Sequence, residues 1–176
     1  MKRMSLVAAA AWILGCTAPT SGTRPVAPPV TPAVQNDPTP SPGAPAVGAV
    51  DHVGMTVTDL EASKALFVDV LGFAVRGKDD SYPAYFLSNG AATVTLWRAE
   101  DPAAAIAFDR RRNVGLHHLA LSVASFDQLD ALHQALMTHP GVTIEFAPEL
   151  AYGGPSKHMM FREPSGNRIE LVHRPG

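Results

Sequence analysis

The sequence predicts an α+β domain in which two βαβββ modules pair into a cupped mixed β-sheet with the helices outside. Strand-like and helix-like patterns alternate along residues 47–176, and the same succession occurs twice. His52 and His118 occupy equivalent places in the two halves. A four-stranded sheet covered by one helix has one face left over, so two copies are expected to enclose a cavity.

The first module, about residues 47–100, begins with an alternating stretch at 50–57. A helical pattern follows at 59–71, and Gly72 is expected to end that helix. Further strands are predicted at 73–78, 84–87 and 93–98. Residues 101–113 are expected to connect the modules.

The second module, about residues 114–176, repeats this order. A strand is predicted at 116–123, and Ser125 is placed to cap a helix that ends at 139–141. Strands are then expected at 142–146, 157–162 and 168–173.

Residues 1–15 have the order of a signal peptide: two basic residues, an apolar run and a small residue. The run at 6–14 is too short to span a bilayer. The segment 13–16, Ile-Leu-Gly-Cys, resembles the bacterial lipobox, which implies a mature protein lipidated on Cys16. Because Thr17 follows, we expect an outer-membrane anchor facing the periplasm. The alternative is an ordinary signal peptide that contains a cysteine.

Residues 16–46 are predicted to form a disordered linker after the lipidated cysteine. From residue 17 onward this segment holds nine of the 16 prolines, two charged residues and no aromatic residue. Such a composition cannot bury a core and favours extended conformations.

The charge balance excludes some classes of function. Residues 47–176 carry 11 basic and 15 acidic side chains, so no nucleic-acid partner is expected. The single cysteine excludes an internal disulfide framework.

Two histidines and one glutamate are the candidate metal ligands. A lone strand histidine is usually a hydrogen-bonded structural residue, but His52 and His118 lie at symmetry-related positions. Glu170 interrupts an apolar strand, where a carboxylate is costly unless it is paired or bound to a cation. Two histidines and a carboxylate leave open coordination positions, which suits Fe(II) or Mn(II).

Three segments resemble the vicinal oxygen chelate superfamily, which includes glyoxalases, bleomycin-resistance proteins and extradiol dioxygenases. They are 51–53, 116–119 and the Glu-Pro-x-Gly turn with its following strand at 161–171. The resemblance covers the whole of 47–176 and implies metal binding by His52, His118 and Glu170. In members with a four-ligand site, the first module also supplies an acidic residue. Here that position holds Thr95, or Val94 if the register slips by one, which disfavours glyoxalase I chemistry.

The resemblance to extradiol enzymes is incomplete. Their tyrosine and second histidine correspond here to Met160 and Ala151, so their acid–base pair is missing. His158 shares a strand face with Met160, and we assign it a role in proton transfer or substrate binding. The alternative for His158 is a surface histidine.

The sequence therefore favours a divalent-metal-dependent enzyme whose small substrate is chelated through vicinal oxygens. With Fe(II) or Mn(II) it would be a dioxygenase, and with Zn(II) or Ni(II) a lyase or isomerase. The first alternative is a non-catalytic protein that sequesters a small molecule, as bleomycin-resistance members do. A second is a lipoprotein domain for envelope assembly. The modules are expected either to pair within one chain or to exchange between the chains of a homodimer.

Overall fold

The computed structural model describes residues 47–176. The predicted signal peptide, Cys16 and the linker up to residue 46 lie outside the described residues. No helix in the described part of the chain is long and apolar enough to cross a membrane.

The first module forms a four-stranded sheet with the order β1-β4-β3-β2. Its strands are β1 (Val53–Val57), β2 (Ala74–Asp79), β3 (Ala84–Ser88) and β4 (Thr93–Arg98). The two helical segments between β1 and β2 are α1 (Leu60–Ala65) and a π-helical turn (Leu66–Val70). β1 pairs with β4 in parallel, and the other neighbours pair antiparallel.

The second module repeats this topology with the order β5-β8-β7-β6. Its elements are β5 (Leu119–Ser122), α2 (Phe126–Thr138), β6 (Thr143–Leu150), β7 (Lys157–Arg162) and β8 (Arg168–His173), with a 3₁₀ turn at Ala151–Gly153. β5 and β8 are parallel, as β1 and β4 are. Two four-stranded mixed sheets with few helices confirm the predicted α+β class and the βαβββ repeat.

The helix ends follow the sequence signals. The carboxylate of Asp59 accepts a hydrogen bond from the amide of Ala62 at 2.9 Å, and the Ser125 hydroxyl accepts one from the amide of Gln128 at 3.1 Å. Gly72, with φ of +73°, follows the π-helical turn and ends the helical stretch of the first module.

The single helix predicted at 59–71 is divided, because its last part is a π-helical turn. Leu66 and Phe67 are consecutive residues, and both are completely buried. A regular helix turns consecutive side chains about 100° apart, so the wider turn helps both to reach the core.

One face of each sheet packs against its helix, while the other face carries the candidate site. Alternate residues of the strands are buried in the core, among them Met159 and Phe161 on β7 and Ile169 and Leu171 on β8. Side chains at the intervening positions, including Glu170, therefore point to the opposite face.

The turn at 163–167 joins the two modules within one chain. The Ser165 hydroxyl accepts hydrogen bonds from the amides of Thr58 and Asp59 at 3.0 and 3.2 Å. The buried carboxylate of Glu163 accepts one from the Ser63 hydroxyl at 2.5 Å. The Asn167 side chain donates to the carbonyl of Thr56, which completes the connection.

Several predicted boundaries shift. His52 and His118 each lie immediately before a strand rather than inside one, since β1 begins at Val53 and β5 at Leu119. β6 extends four residues beyond its predicted end at 146, with register irregularities along it.

Candidate metal and acid–base site

The strand register identifies the counterpart of Glu170 in the first module. Glu170 pairs with Ala120 across the parallel β5–β8 ladder, and Thr95 pairs with Gly54 across the equivalent β1–β4 ladder. The sequence left two candidates for the counterpart of Glu170, Thr95 and Val94, and the register identifies Thr95. Thr95 is buried, and its hydroxyl accepts a hydrogen bond from the Trp97 indole at 2.8 Å.

Glu170 is held between two histidines. Its Oε2 lies 3.0 Å from Nε2 of His118, and its Oε1 lies 2.5 Å from Nδ1 of His158. The three side chains are mostly enclosed, since 13% of the Glu170 side chain, 14% of His158 and 31% of His118 are exposed. Each carboxylate oxygen therefore has one imidazole partner, which offsets the cost of burying it.

The sheet register explains why these side chains meet. Glu170 is directly opposite Met160 on β7, and His158 is two residues further along the same face. Diagonal neighbours across a sheet are about 7–8 Å apart at their backbones, within reach of long side chains. His118 approaches from the other side, because it precedes the β5 residue that pairs with Ile169.

In both predicted metal-binding histidines, Nδ1 contacts the side chain of the preceding residue. Nδ1 of His52 is 2.6 Å from Oδ1 of Asp51, and Nδ1 of His118 is 2.8 Å from Nδ1 of His117. Metal-bound histidines are usually oriented by such a contact at the ring nitrogen that does not bind the ion. Nε2 is therefore the ring nitrogen with which each histidine would bind an ion, and in His118 that atom contacts Oε2 of Glu170 at 3.0 Å.

The structure brings together only part of the predicted ligand set. His118 and Glu170 are adjacent, whereas the His52 imidazole lies against Asp51 with half of its side chain exposed. No group of three histidine, cysteine or acidic side chains within residues 47–176 is close enough to hold an ion. Metal ligation by His52, His118 and Glu170 therefore stays a prediction.

The geometry of the adjacent pair fits a divalent ion. Ligand atoms at about 2.1 Å from a metal, at right angles to each other, are about 3.0 Å apart. The observed distance between Nε2 of His118 and Oε2 of Glu170 is 3.0 Å. An imidazole nitrogen and a carboxylate oxygen are also donors that Mn(II), Fe(II), Zn(II) and Ni(II) accept.

Two aromatic side chains lie near His158. The Phe146 ring lies 5.0 Å from the imidazole and the Tyr152 ring 6.3 Å from it. Tyr152 has φ of +53°, the only non-glycine residue with positive φ in the described part of the chain. The sequence pattern does not identify Tyr152 as a neighbour of His158.

A cluster of arginines from the second module and from the connection between the modules was not predicted. Glu145 contacts Arg168 at 2.7 Å, Arg162 at 2.9 Å and Arg110 at 3.7 Å. Burial acts to raise the pKa of Glu145, but the Arg168 hydrogen bond and the three positive charges outweigh it, so the pKa is lowered. These residues are far apart in sequence, and no short motif connects them.

The arginine cluster also lies close to His117 and affects its pKa. Its Nδ1 is 3.4 Å from Nη1 of Arg168. Burial lowers the pKa of His117, and the charges of Arg168, His118 and Arg110 lower it further. His117 is therefore biased toward its neutral form.

A cleft of about 270 Å³ borders the site. His118 and Arg168 line one side of it, Gly54 and Thr56 of β1 another, and Phe108 of the connection a third. A polar ligand in this cleft would contact residues of both modules and of the segment between them.

The chain belongs to the Glyoxalase/Bleomycin resistance protein/Dioxygenase superfamily, whose family model matches residues 49–171. This match spans both sheets and includes His52, His118 and Glu170.

Comparisons with individual proteins agree with this membership. A 2-epi-5-epi-valiolone epimerase from an Actinomyces species is 30% identical over 163 residues, which cover 76% of this chain and 83% of the relative. A glyoxylase/bleomycin resistance protein/dioxygenase domain from a Frankia species superposes with a TM-score of 0.61 at 25% identity, covering 74% of this chain and 100% of that one. A glyoxalase/bleomycin resistance protein from Albidiferax ferrireducens gives 0.53 at 27% identity, covering 70% and 97%.

Proposed function

We propose that this protein is a divalent-metal-dependent enzyme that isomerises or epimerises a small substrate chelated through two vicinal oxygens. The observation that carries the proposal is Glu170 held between His118 and His158 on the open face of the second sheet. The relative named as an epimerase supports this reaction class over the dioxygenase class.

His118, Glu170 and His52 would hold the metal. His118 and Glu170 already have the spacing of neighbouring ligands, and His52 would join them by turning Nε2 toward the site while Nδ1 keeps its contact with Asp51. The bound ion would supply Lewis acidity, which polarises a substrate carbonyl and stabilises an enolate.

His158 is the proton-transfer residue in this proposal. Inversion at a carbon next to a carbonyl requires a group that takes the proton from that carbon. Nδ1 of His158 contacts Glu170, which fixes the ring and leaves Nε2 for the substrate. The neighbouring ring of Phe146 would limit the access of water to this imidazole.

Ring cleavage is the less favoured enzyme reaction. Met160, at the position of the extradiol tyrosine, is buried directly opposite Glu170. A thioether has no proton to donate, so this position cannot serve as the acid of that reaction.

Sequestration of a small molecule is the second candidate function. It is favoured by the half-exposed His52 and by the absence of an assembled three-ligand cluster within residues 47–176. Under this alternative the cleft would bind its ligand without any metal.

We also propose that the domain is anchored in the cell envelope through lipidated Cys16 and faces the periplasm from the outer membrane. Metabolic labelling with a fatty-acid probe tests the anchor. Label on the wild-type chain and none on Cys16→Ser would support it, and equal labelling of both would exclude it. Fractionation of inner and outer membranes tests the location.

The decisive experiment combines metal analysis with hydrogen exchange. The chain is purified anaerobically without chelator, its metal content is measured, and 2-hydroxycyclohexanone is incubated with it in deuterated water. We expect about one equivalent of metal, and deuterium at the carbon that bears the hydroxyl group. Both should be lost in His118→Ala and Glu170→Ala, while His133→Ala on α2 serves as the matched control.

Other outcomes distinguish the alternatives. Iron with oxygen consumption on a catechol would favour the dioxygenase reaction. Absence of metal even after reconstitution would contradict the enzyme proposal and favour sequestration.

A further inference from the structure

We infer that Arg168 forms an anion subsite beside the proposed metal site, so that the natural substrate carries a carboxylate or phosphate group. This inference rests on the proposed function for the substrate's other contacts. It adds the charge of the substrate, which neither the family membership nor the proposed reaction specifies.

The positive charge in this cluster exceeds the negative charge. The guanidinium groups of Arg110, Arg162 and Arg168 share the single carboxylate of Glu145 in the ion pairs of residues 47–176. Within residues 47–176 this cluster therefore has two more positive than negative charges.

Arg162 is the structural member of the cluster. Its Nη1 donates to the carbonyls of Phe108 at 3.2 Å and Gly166 at 3.1 Å. These contacts fix the connection between the modules against the turn before β8. Arg162 is thereby committed to the protein's own backbone.

The guanidinium group of Arg168 is held in place, but not all of its N–H donors have a partner in the part of the chain that the structure describes. Its side chain is 6% exposed, and its Nε is held by Glu145 at 2.7 Å. Nη1 has only the long contact to His117, and no hydrogen bond within residues 47–176 uses Nη2. A guanidinium held at Nε presents its terminal nitrogens in a fixed plane, which suits recognition of an oxyanion.

Arg168 lies beside the proposed metal ligand Glu170. The two residues are two apart on β8 and therefore share a face of the sheet. Arg168 and His118 also line the same cleft of about 270 Å³. A small substrate bound near His118 and Glu170 would thus place a negatively charged group at Arg168.

The test measures anion binding without metal and without turnover. Inorganic phosphate and acetate are titrated separately into the chelator-treated full-length protein, and binding is followed by calorimetry. We expect saturable binding of at least one anion, weakened about tenfold or more in Arg168→Met and less in Arg168→Lys and in Arg110→Met, the last of which removes one positive charge from the cluster around Glu145. Arg76→Met, on exposed β2, is the matched control and should bind as the wild type does. Stronger binding of phosphate would indicate a phosphorylated substrate, and stronger binding of acetate a carboxylate.

Failure of this inference is distinguishable from failure of the enzyme proposal. Circular dichroism confirms folding of each variant, and Arg110→Met tests the same site if Arg168→Met does not fold. Absence of binding, or binding that Arg168 and Arg110 variants leave unchanged, would overturn the anion subsite while leaving metal content and hydrogen exchange untouched. A protein that lacks metal but binds the anion through Arg168 would refute the enzyme proposal alone.

Discussion

Thr95 occupies in the first sheet the place that Glu170 occupies in the second. Thr95 pairs with Gly54, and Glu170 pairs with Ala120. Gly54 and Ala120 are each the second residue of a parallel edge strand that begins directly after a histidine. The two modules are therefore alike in backbone and unlike in chemistry. This position holds a carboxylate in the second module and a buried hydroxyl in the first.

The Thr95→Glu variant tests this equivalence. Without metal it should be less stable than the wild type, because Thr95 is 3% exposed and an unpaired buried carboxylate is costly. With saturating manganese it should gain more thermal stability than the wild type gains, because an additional ligand contacts the ion. Melting temperatures with and without manganese measure both effects. Thr93→Glu, on the same strand face, is the control, and an equal gain in the two variants would refute the equivalence.

The His158→Ala variant tests the proton-transfer role. We expect the rate of deuterium exchange to fall about 100-fold, as is typical when a general acid–base group is removed. Metal content should remain at the wild-type level, because Glu170 keeps its contact with His118. Elemental analysis and exchange followed by nuclear magnetic resonance are the two measurements. His133→Ala provides the comparison, and unchanged exchange in His158→Ala would remove this role.

The Ser63→Ala variant tests the connection between the modules. It removes the hydroxyl that donates to the buried carboxylate of Glu163, which keeps only its contacts with Asn167. The free energy of unfolding should fall by about 1–3 kcal/mol, the cost of leaving a buried acceptor less satisfied. Urea denaturation gives this value. Ser122→Ala, at an exposed position of β5, should change it little, and an equal loss in both would contradict the assignment.

The Glu145→Gln variant tests the arginine cluster through its pH dependence. The pKa of Glu145 is lowered in the folded protein, so its contribution to stability is present above the ordinary glutamate value of 4.5 and is lost as pH falls through the folded value. Glu145→Gln should therefore be less stable than the wild type at neutral pH, by about 3 kcal/mol. The difference should shrink on acidification.

Unfolding by urea across the acid range measures this difference, and exposed Glu149→Gln is the control. A difference that stays constant down to the acid-unfolded state would show that the Glu145 carboxylate is not stabilised by the arginines.

Much of the fold could be predicted because its signals are local. The strands at 93–98, 157–162 and 168–173 have the predicted bounds, since alternation of apolar residues depends only on neighbouring positions. Ser125 and Gly72 mark the helix ends as predicted, because capping and positive φ are also local requirements. The π-helical turn at Leu66–Val70 was missed, since it depends on how the core is packed.

The candidate site could be predicted only in part. The repeat and the interrupted apolar strand indicated His118 and Glu170, which lie 3.0 Å apart at their nearest side-chain atoms. The face shared with Met160 indicated His158 but not its contact with Glu170. The position of the His52 side chain depends on its rotamer and on Asp51, which the strand pattern does not specify.

The sequence by itself determined the repeat, the α+β class and the residue types available for chemistry, because these follow from periodicity and composition. The tertiary structure decided that Thr95 rather than Val94 matches Glu170, because that choice depends on strand register. It also gathered Arg110, Arg162 and Arg168 around Glu145. Charges so far apart along the chain meet only when sheet pairing and the connection between modules place them together.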